Sequence, residues 1–283
     1  MRILVSGITG LVGSHIAMKA MERGWKVGGI SRNPANIPSL YLAKDEVGIK
    51  LAMDEFRPDI YVDCAAWSHV DACEANPVEC LRVNSLLPGL ISSIAFARGI
   101  QYVLFSSSYV FSGDIFSYNE SDSTGPLSWY GEAKVLAEKL VTFNTKGRGL
   151  VIRTMGVYGM DNAGKDFYGQ VVRAISNKKI IQVANDQFGN TTFAADLAEV
   201  TLRLTEMSSS GIWHVAGPEP LQSRYMIAKE ICKLGGWNEK YLEEVSTTSL
   251  HQKAPRPRYG GLDILKILSK GLKMRSLKEV WSK

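Results

Sequence analysis

The chain has 283 residues, of which 45% are hydrophobic and 22% are charged, and its formal net charge is +5. These values are typical of a folded globular protein whose core needs no disulfide or metal for support. The positive charge is spread along the chain without a basic run or a recognised binding module, so we expect no nucleic-acid partner.

No apolar run in the sequence approaches the ~18 residues that span a bilayer, and the chain opens on a strand-like pattern. We therefore expect no membrane association and a cytoplasmic protein. The four cysteines form no CxxC pair, and no histidine lies at zinc-finger spacing from them. This pattern predicts reduced thiols and no metal site.

Short apolar runs alternate with helical patterns over the first 154 residues. The predicted strands are 2–6, 25–31, 60–65, 102–106 and 150–154, and the predicted helices are 13–23, 84–98 and the region around 130–143. Such alternation predicts parallel strands joined by right-handed crossovers. The expected fold class is therefore α/β, with a Rossmann doubly wound parallel sheet.

From about residue 156 the predicted strands and helices no longer alternate regularly, which indicates a smaller C-terminal lobe. The predicted elements there are a helix at 167–176, a strand at 180–183, a helix at 196–206, a strand at 212–215, and two further helices beside a proline-rich stretch at 254–257. We predict a dinucleotide-binding Rossmann domain over residues 1–158, to which residues 186–215 return. Residues 159–283 are predicted to form mainly the smaller substrate-binding lobe.

A glycine-rich segment joins the first predicted strand to the first helix. Its glycines suit a tight turn, a close approach of the backbone to a pyrophosphate, and close packing of helix on strand. Glycines also serve plain turns, but this position between a strand and a helix favours dinucleotide binding. The predicted contact residues are Gly7, Thr9, Gly10, Leu11, Val12 and Gly13.

The end of the second strand indicates which dinucleotide binds. An acidic residue there would hydrogen-bond the ribose 2′-hydroxyl of NAD, but the sequence has Ser31 and Arg32 instead. Arg32 can pair with a 2′-phosphate through charge-assisted hydrogen bonds. We therefore predict NADP(H), with NAD(H) as the alternative if Arg32 only solvates a loop.

A tyrosine and a lysine lie four residues apart, at Tyr130 and Lys134, which places both on one face of a helix. A nearby ammonium is expected to lower the pKa of the phenol, which could then exchange a proton with a carbonyl oxygen. Lys134 is also expected to hydrogen-bond the nicotinamide ribose. Ser107, at the end of a predicted strand, could hold the same carbonyl. The plainer alternatives are an ordinary helix face and a turn-forming serine.

These motifs resemble those of the extended short-chain dehydrogenase/reductases, and most of all the dTDP-4-dehydrorhamnose reductase group. The matching segments are residues 57–71, 107–111, 153–159, 186–192 and 256–262, so the resemblance runs nearly from end to end. It aligns Ser107, Tyr130 and Lys134 with the catalytic residues of that group. It implies reduction of the 4-keto group of a nucleotide-linked 4-keto-6-deoxy sugar by NADPH, in a homodimer.

The resemblance also implies the roles of further residues. Those implied to contact the cofactor are Cys64, Ala65, Ala66, Asn84, Tyr130 and Lys134. Those implied to contact the substrate are Trp67, Ser107, Ser108, Tyr130, Gln187 and Arg256. Arg256 is the candidate for the substrate diphosphate, and a capping or solvated arginine is the alternative.

The chain departs from the group's pattern at four positions, which puts the identity of the sugar in doubt. Gly156 stands where the group has a tryptophan, and Ser108 replaces an aspartate after the catalytic serine or threonine. Trp67 replaces a tyrosine, and Asp166 replaces an asparagine. We therefore expect a reshaped sugar pocket.

Four alternatives to a reductase arise from the same superfamily. An epimerase is expected to bind NAD through an acid after the second strand, and a dehydratase needs an acidic pair where this chain has Ser108 and Tyr109. An epimerase-reductase uses a Cys/His pair near the site, but we expect Cys64 inside a strand with His69 just beyond it, which is not that arrangement, and His214 on a strand surface. The fourth alternative is a non-catalytic NADP-binding subunit that resembles the methionine adenosyltransferase β-subunit.

Overall fold

The computed structural model describes residues 1–35, 37, 39–43, 45–160, 166–218 and 221–282. The strands are β1 (Arg2–Ser6), β2 (Lys26–Ser31), β3 (Leu40–Leu42), β4 (Ile60–Asp63), β5 (Gln101–Ser107), β6 (Ser117–Tyr118), β7 (Leu150–Thr154), β8 (Val157–Tyr158), β9 (Ile181–Ala184), β10 (Phe188–Gly189), β11 (Thr192–Phe193), β12 (Gly211–His214), β13 (Gln222–Ser223), β14 (Leu242–Val245) and β15 (Gly261–Leu262). The helices are α1 (Leu11–Glu22), α2 (Glu46–Phe56), α3 (Val70–Ala75), α4 (Pro77–Leu81), α5 (Leu87–Ala97), α6 (Trp129–Asn144), α7 (Phe167–Ser176), α8 (Ala194–Glu206), α9 (Arg224–Gly235), α10 (Leu265–Leu268) and α11 (Leu277–Trp281).

A seven-stranded sheet organises the chain, in the order β12-β7-β5-β4-β1-β2-β3, and all of its neighbouring strands are parallel. The predicted Rossmann-like α/β fold is therefore confirmed. Strand β12 comes from the second half of the chain and pairs with β7 through Gly211 and Leu150. The division of domains at residue 158 stays a prediction.

Both faces of the sheet are buried, which explains the continuous apolar runs of its strands. Side chains alternate between the two faces, so Ile3 and Val5 join one core cluster while Leu4 joins another. Helices α1 and α8 cover the first face, and α2, α5 and α6 cover the second. A third cluster forms the core of the smaller lobe, between α7, α9 and α11.

The structure contains elements that the sequence analysis missed, among them strand β3 of the main sheet and helix α2. Helix α2 follows the short strand β3, begins at the cap residue Asp45, and buries Ile49, Met53 and Phe56 at helical spacing. Strand β4 ends at Asp63, so the prediction that Cys64 lies inside a strand is wrong. All four cysteines are free thiols.

The helix predicted to begin at residue 84 begins at Pro77 instead. Helices α4 and α5 are joined by a π-helical turn over Arg82–Leu86, so the stretch Pro77–Ala97 is continuous. By length and composition this 21-residue stretch could cross a membrane, which the sequence analysis did not anticipate; the mean hydropathy of its most apolar 18 residues is 1.4. It packs against α6, and 44% of those 18 residues are buried inside the fold.

His214 lies in the interior, and the prediction that it sits on a strand surface is wrong. The ring is fully buried beside Phe111, because the segment around Tyr118 covers β12. Its Nδ1 donates to the carbonyl oxygen of Tyr118 at 3.1 Å, which leaves Nε2 to face the Arg153 guanidinium at 3.5 Å. Burial and the charge of Arg153 lower the pKa of His214 to about 3.

We expect protonation of His214 to destabilise the fold in acid. The pKa is about 3 in the folded chain against 6.5 as the ordinary value, so the unfolded chain binds more protons between these limits. The contribution is fully present above pH 6.5, and at pH 5 about 2 kcal/mol of it is lost. Urea unfolding of the chain and of His214→Gln at both pH values measures this loss.

The exposed His251 provides a matched control for this prediction. The difference in unfolding free energy between pH 7 and pH 5 should shrink in His214→Gln and persist in His251→Asn. The same pH dependence in all three proteins would show that His214 is not the group responsible.

Candidate active site

The glycine-rich segment forms a tight loop between β1 and α1, at the carboxyl edge of the sheet. Gly7 has a φ of +62°, and a Cβ atom at Gly13 would lie 2.3 Å from the Gly7 carbonyl oxygen, so a larger residue there would push into the loop backbone. Thr9 and Gly10 are exposed. The first-turn amides of α1, from Leu11 onward, face the same edge without helical acceptors. This loop fits a pyrophosphate group.

The end of β2 lies beside this loop. The Ser31 side chain is buried and its Oγ accepts a hydrogen bond from the Asn33 amide at 3.2 Å. Arg32 is exposed, and its guanidinium makes no ion pair with any described residue. Its charge is therefore available to a 2′-phosphate.

Strand β5 and helix α6 bring the predicted catalytic side chains together. Ser128 caps α6 by accepting a hydrogen bond from the Gly131 amide at 3.3 Å, which fixes the first turn that carries Tyr130. The Tyr130 side chain lies beside that of Ser107, the last residue of β5, close enough for Ser107 to affect the proton affinity of the phenol. Lys134 Nζ donates to the Phe105 carbonyl oxygen at 3.1 Å and lies 5.9 Å from the centre of the Tyr130 ring.

Burial governs the proton affinities of this group. Burial raises the pKa of Tyr130, although the neighbouring Ser107 side chain acts in the opposite direction. The pKa is therefore raised where a lowering by Lys134 was expected, because loss of solvation dominates. Burial also lowers the pKa of Lys134, against the attraction of Asp63 and Glu138. The phenol consequently stays protonated, as a proton donor to a carbonyl requires.

The loop after β4 is held in place by Asn84. The Asn84 side chain is fully buried, accepts a hydrogen bond from the Trp67 amide at 2.8 Å and donates one to the Trp67 carbonyl at 3.0 Å. Asn84 thus positions the loop on which Ala65 and Ala66 are exposed. Burial raises the pKa of the Cys64 thiol well above its usual range, so that thiol is not a nucleophile.

A cavity of about 290 Å³ adjoins the carboxyl end of β5. Ser108 and Gln187, both predicted to contact the substrate, line it together with the aromatic side chains of α7. The Ser108 side chain is fully buried and its Oγ has no hydrogen-bond partner. An unpaired buried hydroxyl on a cavity wall indicates a polar ligand.

Arg256 does not line this cavity in the described part of the chain, and its guanidinium is engaged in an ion pair. Its Nη2 lies 3.0 Å from Asp71 Oδ1, which also accepts a hydrogen bond from the Ala254 amide at 3.0 Å. The Arg256 side chain is 8% exposed. The pair joins the proline-rich segment to α3, and the role predicted for Arg256 in binding a diphosphate stays a prediction.

Sequence reasoning missed three charged residues around the site. Asp63 is buried behind the glycine loop, where its carboxylate accepts hydrogen bonds from Ser6 at 2.5 Å and Tyr102 at 2.6 Å. In the sequence, Asp63 could have been recognised as an acidic residue at the end of an apolar run that predicts a buried strand. Arg224 lines the cavity and Glu138 is buried behind Lys134, and neither stands in a recognisable motif. The described part of the chain holds no His, Cys, Asp and Glu cluster suited to a metal ion.

Gly156, at the position of the expected tryptophan, has a backbone that excludes a side chain. Its φ is +56°, and a Cβ atom would lie 2.3 Å from the Asn190 carbonyl oxygen. A tryptophan at this position would require the two segments to separate. The backbone conformation of the cavity wall at Gly156 therefore excludes the tryptophan that the group has at this position.

We expect Gly156→Ala to destabilise the chain by about 2–4 kcal/mol, because strain at positive φ and overpacking against Asn190 add. Gly147→Ala is the matched control, since Gly147 also has a positive φ of +76° but has nothing within 4 Å of a Cβ atom. That control should cost only about 1–2 kcal/mol. Urea unfolding compares the two variants, and equal losses would refute the proposed contact.

Comparison with known proteins identifies the family. Residues 1–281 match the family model described as the RmlD substrate binding domain. A spore coat polysaccharide biosynthesis protein, SpsK of Bacillus subtilis, is 30% identical over 98% of this chain and 94% of its own length. A dTDP-4-dehydrorhamnose reductase of Streptomyces griseus is 29% identical over 93% and 85% of the two chains. The methionine adenosyltransferase 2 subunit beta of Xenopus laevis is also 29% identical, over 97% and 84%.

Solved structures agree with this assignment. The crystal structure of a dTDP-4-dehydrorhamnose reductase from Clostridium acetobutylicum superposes with a TM-score of 0.88 at 26% identity, over 99% of this chain and 96% of that one. The enzyme of the same name from Bacillus anthracis, solved in complex with NADP, shares the fold with a TM-score of 0.89 at 24% identity, over 99% and 97%. The resemblance read from the motifs is thus confirmed: the chain belongs to the RmlD family of oxidoreductases, whose relatives include the dTDP-4-dehydrorhamnose reductases.

Proposed function

We propose that this protein uses NADPH to reduce the 4-keto group of a nucleotide-linked 4-keto-6-deoxy sugar. The observation that carries the proposal is the meeting of Ser107 and Tyr130 at the end of β5, with Lys134 buried one helical turn along α6. This pair lies at the carboxyl edge of a parallel sheet, beside both the glycine loop and the cavity. Ligands of doubly wound folds bind at that edge.

The chain's own residues supply the proton and the orientation for such a reduction. Reduced nicotinamide, when bound, provides a hydride for the carbonyl carbon. The Ser107 and Tyr130 hydroxyls hold the carbonyl oxygen, and Tyr130 transfers its proton to that oxygen as negative charge develops there. Lys134 places a positive charge behind the tyrosine, which stabilises the phenolate that remains.

The residues that would hold the cofactor are those of the glycine loop and of β2. The close contact of Gly13 with the Gly7 carbonyl leaves the loop backbone open to a pyrophosphate. Arg32 favours a 2′-phosphate because it is exposed and unpaired among the described residues, and no acid follows β2 up to Ala35. NADP(H) is therefore proposed over NAD(H).

The lining of the cavity argues against the dehydratase alternative. A dehydratase needs a carboxylate to remove a proton beside the ketone, and Ser108 and Tyr109 stand in that position. No acidic side chain lines the described wall of the cavity. A net reduction needs no such base.

The regulatory alternative keeps independent support, because the methionine adenosyltransferase 2 subunit beta of Xenopus laevis is as similar as the reductases. The intact Ser107, Tyr130 and Lys134 favour catalysis. Tight NADPH binding without turnover of any dTDP-, UDP- or GDP-linked 4-keto-6-deoxy sugar would favour a regulatory subunit.

Four apolar positions of α6 could serve either a dimer seam or the core. Of these, Val135 and Val141 lie in the core, whereas Leu136 and Leu140 are partly exposed. A cytoplasmic homodimer stays part of the proposal.

Replacement of the proton donor tests the proposed reaction. Tyr130→Phe removes only the hydroxyl, so we expect kcat to fall by about 10²–10⁴-fold while the Kd for NADPH stays nearly unchanged. Tyr241→Phe, a change of the same size in the smaller lobe, should leave both constants unchanged. The measurement is NADPH oxidation with the preferred sugar nucleotide, and wild-type turnover in Tyr130→Phe would exclude Tyr130 as the donor.

Replacement of Arg32 tests the choice of cofactor. A charge-assisted bond to the 2′-phosphate is worth about 1.5–3 kcal/mol, so Arg32→Ala should raise the Kd for NADPH by about 10–100-fold. The Kd for NADH should change little, because NADH lacks that phosphate. Lys26→Ala removes the same charge from an exposed position at the start of β2. If both variants raise the Kd for NADPH by the same factor, the effect comes from the overall charge of the protein, and Arg32 makes no specific contact.

A further inference from the structure

The cavity beside β5 has one charged residue on its described wall, Arg224. The remaining lining residues are apolar, aromatic, or neutral polar ones such as Gln187 and Asn190. A cation on the wall of a cavity without an acid favours a negatively charged ligand, because no protein group there compensates its charge.

Arg224 is held at its backbone and free at its guanidinium. It is the first residue of α9, and its amide donates to the Gln187 carbonyl oxygen at 2.9 Å. The guanidinium lies 5.1 Å from the centre of the Phe167 ring, and Phe167 also lines the cavity. Within the described ranges, no ion pair or side-chain hydrogen bond involves this guanidinium. Packing on the ring orients it without using its donors.

Two other arginines of the C-terminal half are already neutralised. Arg256 pairs with Asp71 at 3.0 Å, and Arg275 pairs with Asp196 at 2.5 Å. Both therefore have less charge to offer a ligand than Arg224. The position that the family resemblance assigns to the substrate diphosphate, Arg256, serves here to join two segments of the chain.

Independent evidence for a polar ligand comes from two hydroxyls on the same wall. Ser108 Oγ and Thr191 Oγ1 are both buried and lack a hydrogen-bond partner. Ser108 directly follows Ser107, so the end of the cavity at Ser108 adjoins the reacting group. A ligand with hydroxyl groups at that end and an anionic group at Arg224 would satisfy all of these side chains.

We propose that Arg224 binds the diphosphate of the nucleotide-sugar substrate and makes that diphosphate a requirement for binding. The inference rests on the proposed function for the identity of the substrate. A guanidinium presents parallel N–H donors that match two phosphate oxygens, and the Phe167 ring holds it in that orientation. The sugar then extends toward Ser108 and the catalytic pair.

Titration of dTDP, UDP and GDP into the protein measures nucleotide binding in the absence of a reaction, and so tests whether Arg224 binds the diphosphate. Arg224→Gln should raise the Kd of the best-bound nucleotide by about 10–100-fold, and Arg224→Lys should raise it less, because the charge remains but the paired donors do not. Lys233→Gln, an exposed change of equal charge on the same helix, should have no effect. The Kd for NADPH should be unchanged in all three variants, which shows that they are folded.

The outcomes separate this inference from the proposed function. If nucleotide binding needs Arg224 but no 4-keto sugar is reduced, the inference stands and the proposed reaction fails. If Arg224→Gln binds the nucleotide as the wild type does, or Arg256→Gln alone loses it, Arg224 is not the diphosphate residue. Failure of the wild-type protein to bind any of the three nucleotides would also overturn the inference.

Discussion

The buried ammonium group of Lys134 is the interaction on which the site depends. Its Nζ donates to the Phe105 carbonyl, and this bond ties α6 to β5 directly below Ser107. A buried charge is costly unless other groups compensate it, and the carboxylates of Asp63 and Glu138 attract it from within the fold. Glu138 is itself paired with Arg153 at 2.7 Å, whose guanidinium faces His214. The position of Tyr130 is thus fixed by a charged network that extends to the last strand of the sheet.

Sequence reasoning worked best where the geometry of the backbone decides the outcome. Parallel strands end at one edge, so a glycine loop after β1 and a serine at the end of β5 had to lie near each other. Tyr130 and Lys134 are four residues apart, and on any α-helix that spacing places two side chains on one face. These rules predicted which residues meet without any knowledge of tertiary contacts.

Other features depended on contacts between distant parts of the chain. Arg256 and Asp71 are 185 residues apart, so nothing in the sequence shows that the charge of Arg256 is neutralised. The burial of His214 follows from the covering segment around Tyr118, and the raised pKa of Tyr130 follows from loss of solvation at a helix face that looks ordinary in the sequence. Helix α2 was missed although its apolar residues have helical spacing, which shows that the pattern was present and overlooked.

The return of β12 to the sheet has a consequence for how the chain is made. The first six strands of the sheet are complete at Thr154, yet β7 has its second neighbour only after Gly211–His214 has been synthesised. Until then Leu150–Thr154 is an unpaired edge with a strongly apolar sequence, and such edges associate with other chains. A fragment that ends near residue 158 would keep that edge exposed and would leave Arg153 without His214. Pairing of Gly211–His214 with β7 therefore protects an edge that the N-terminal half of the chain would otherwise expose.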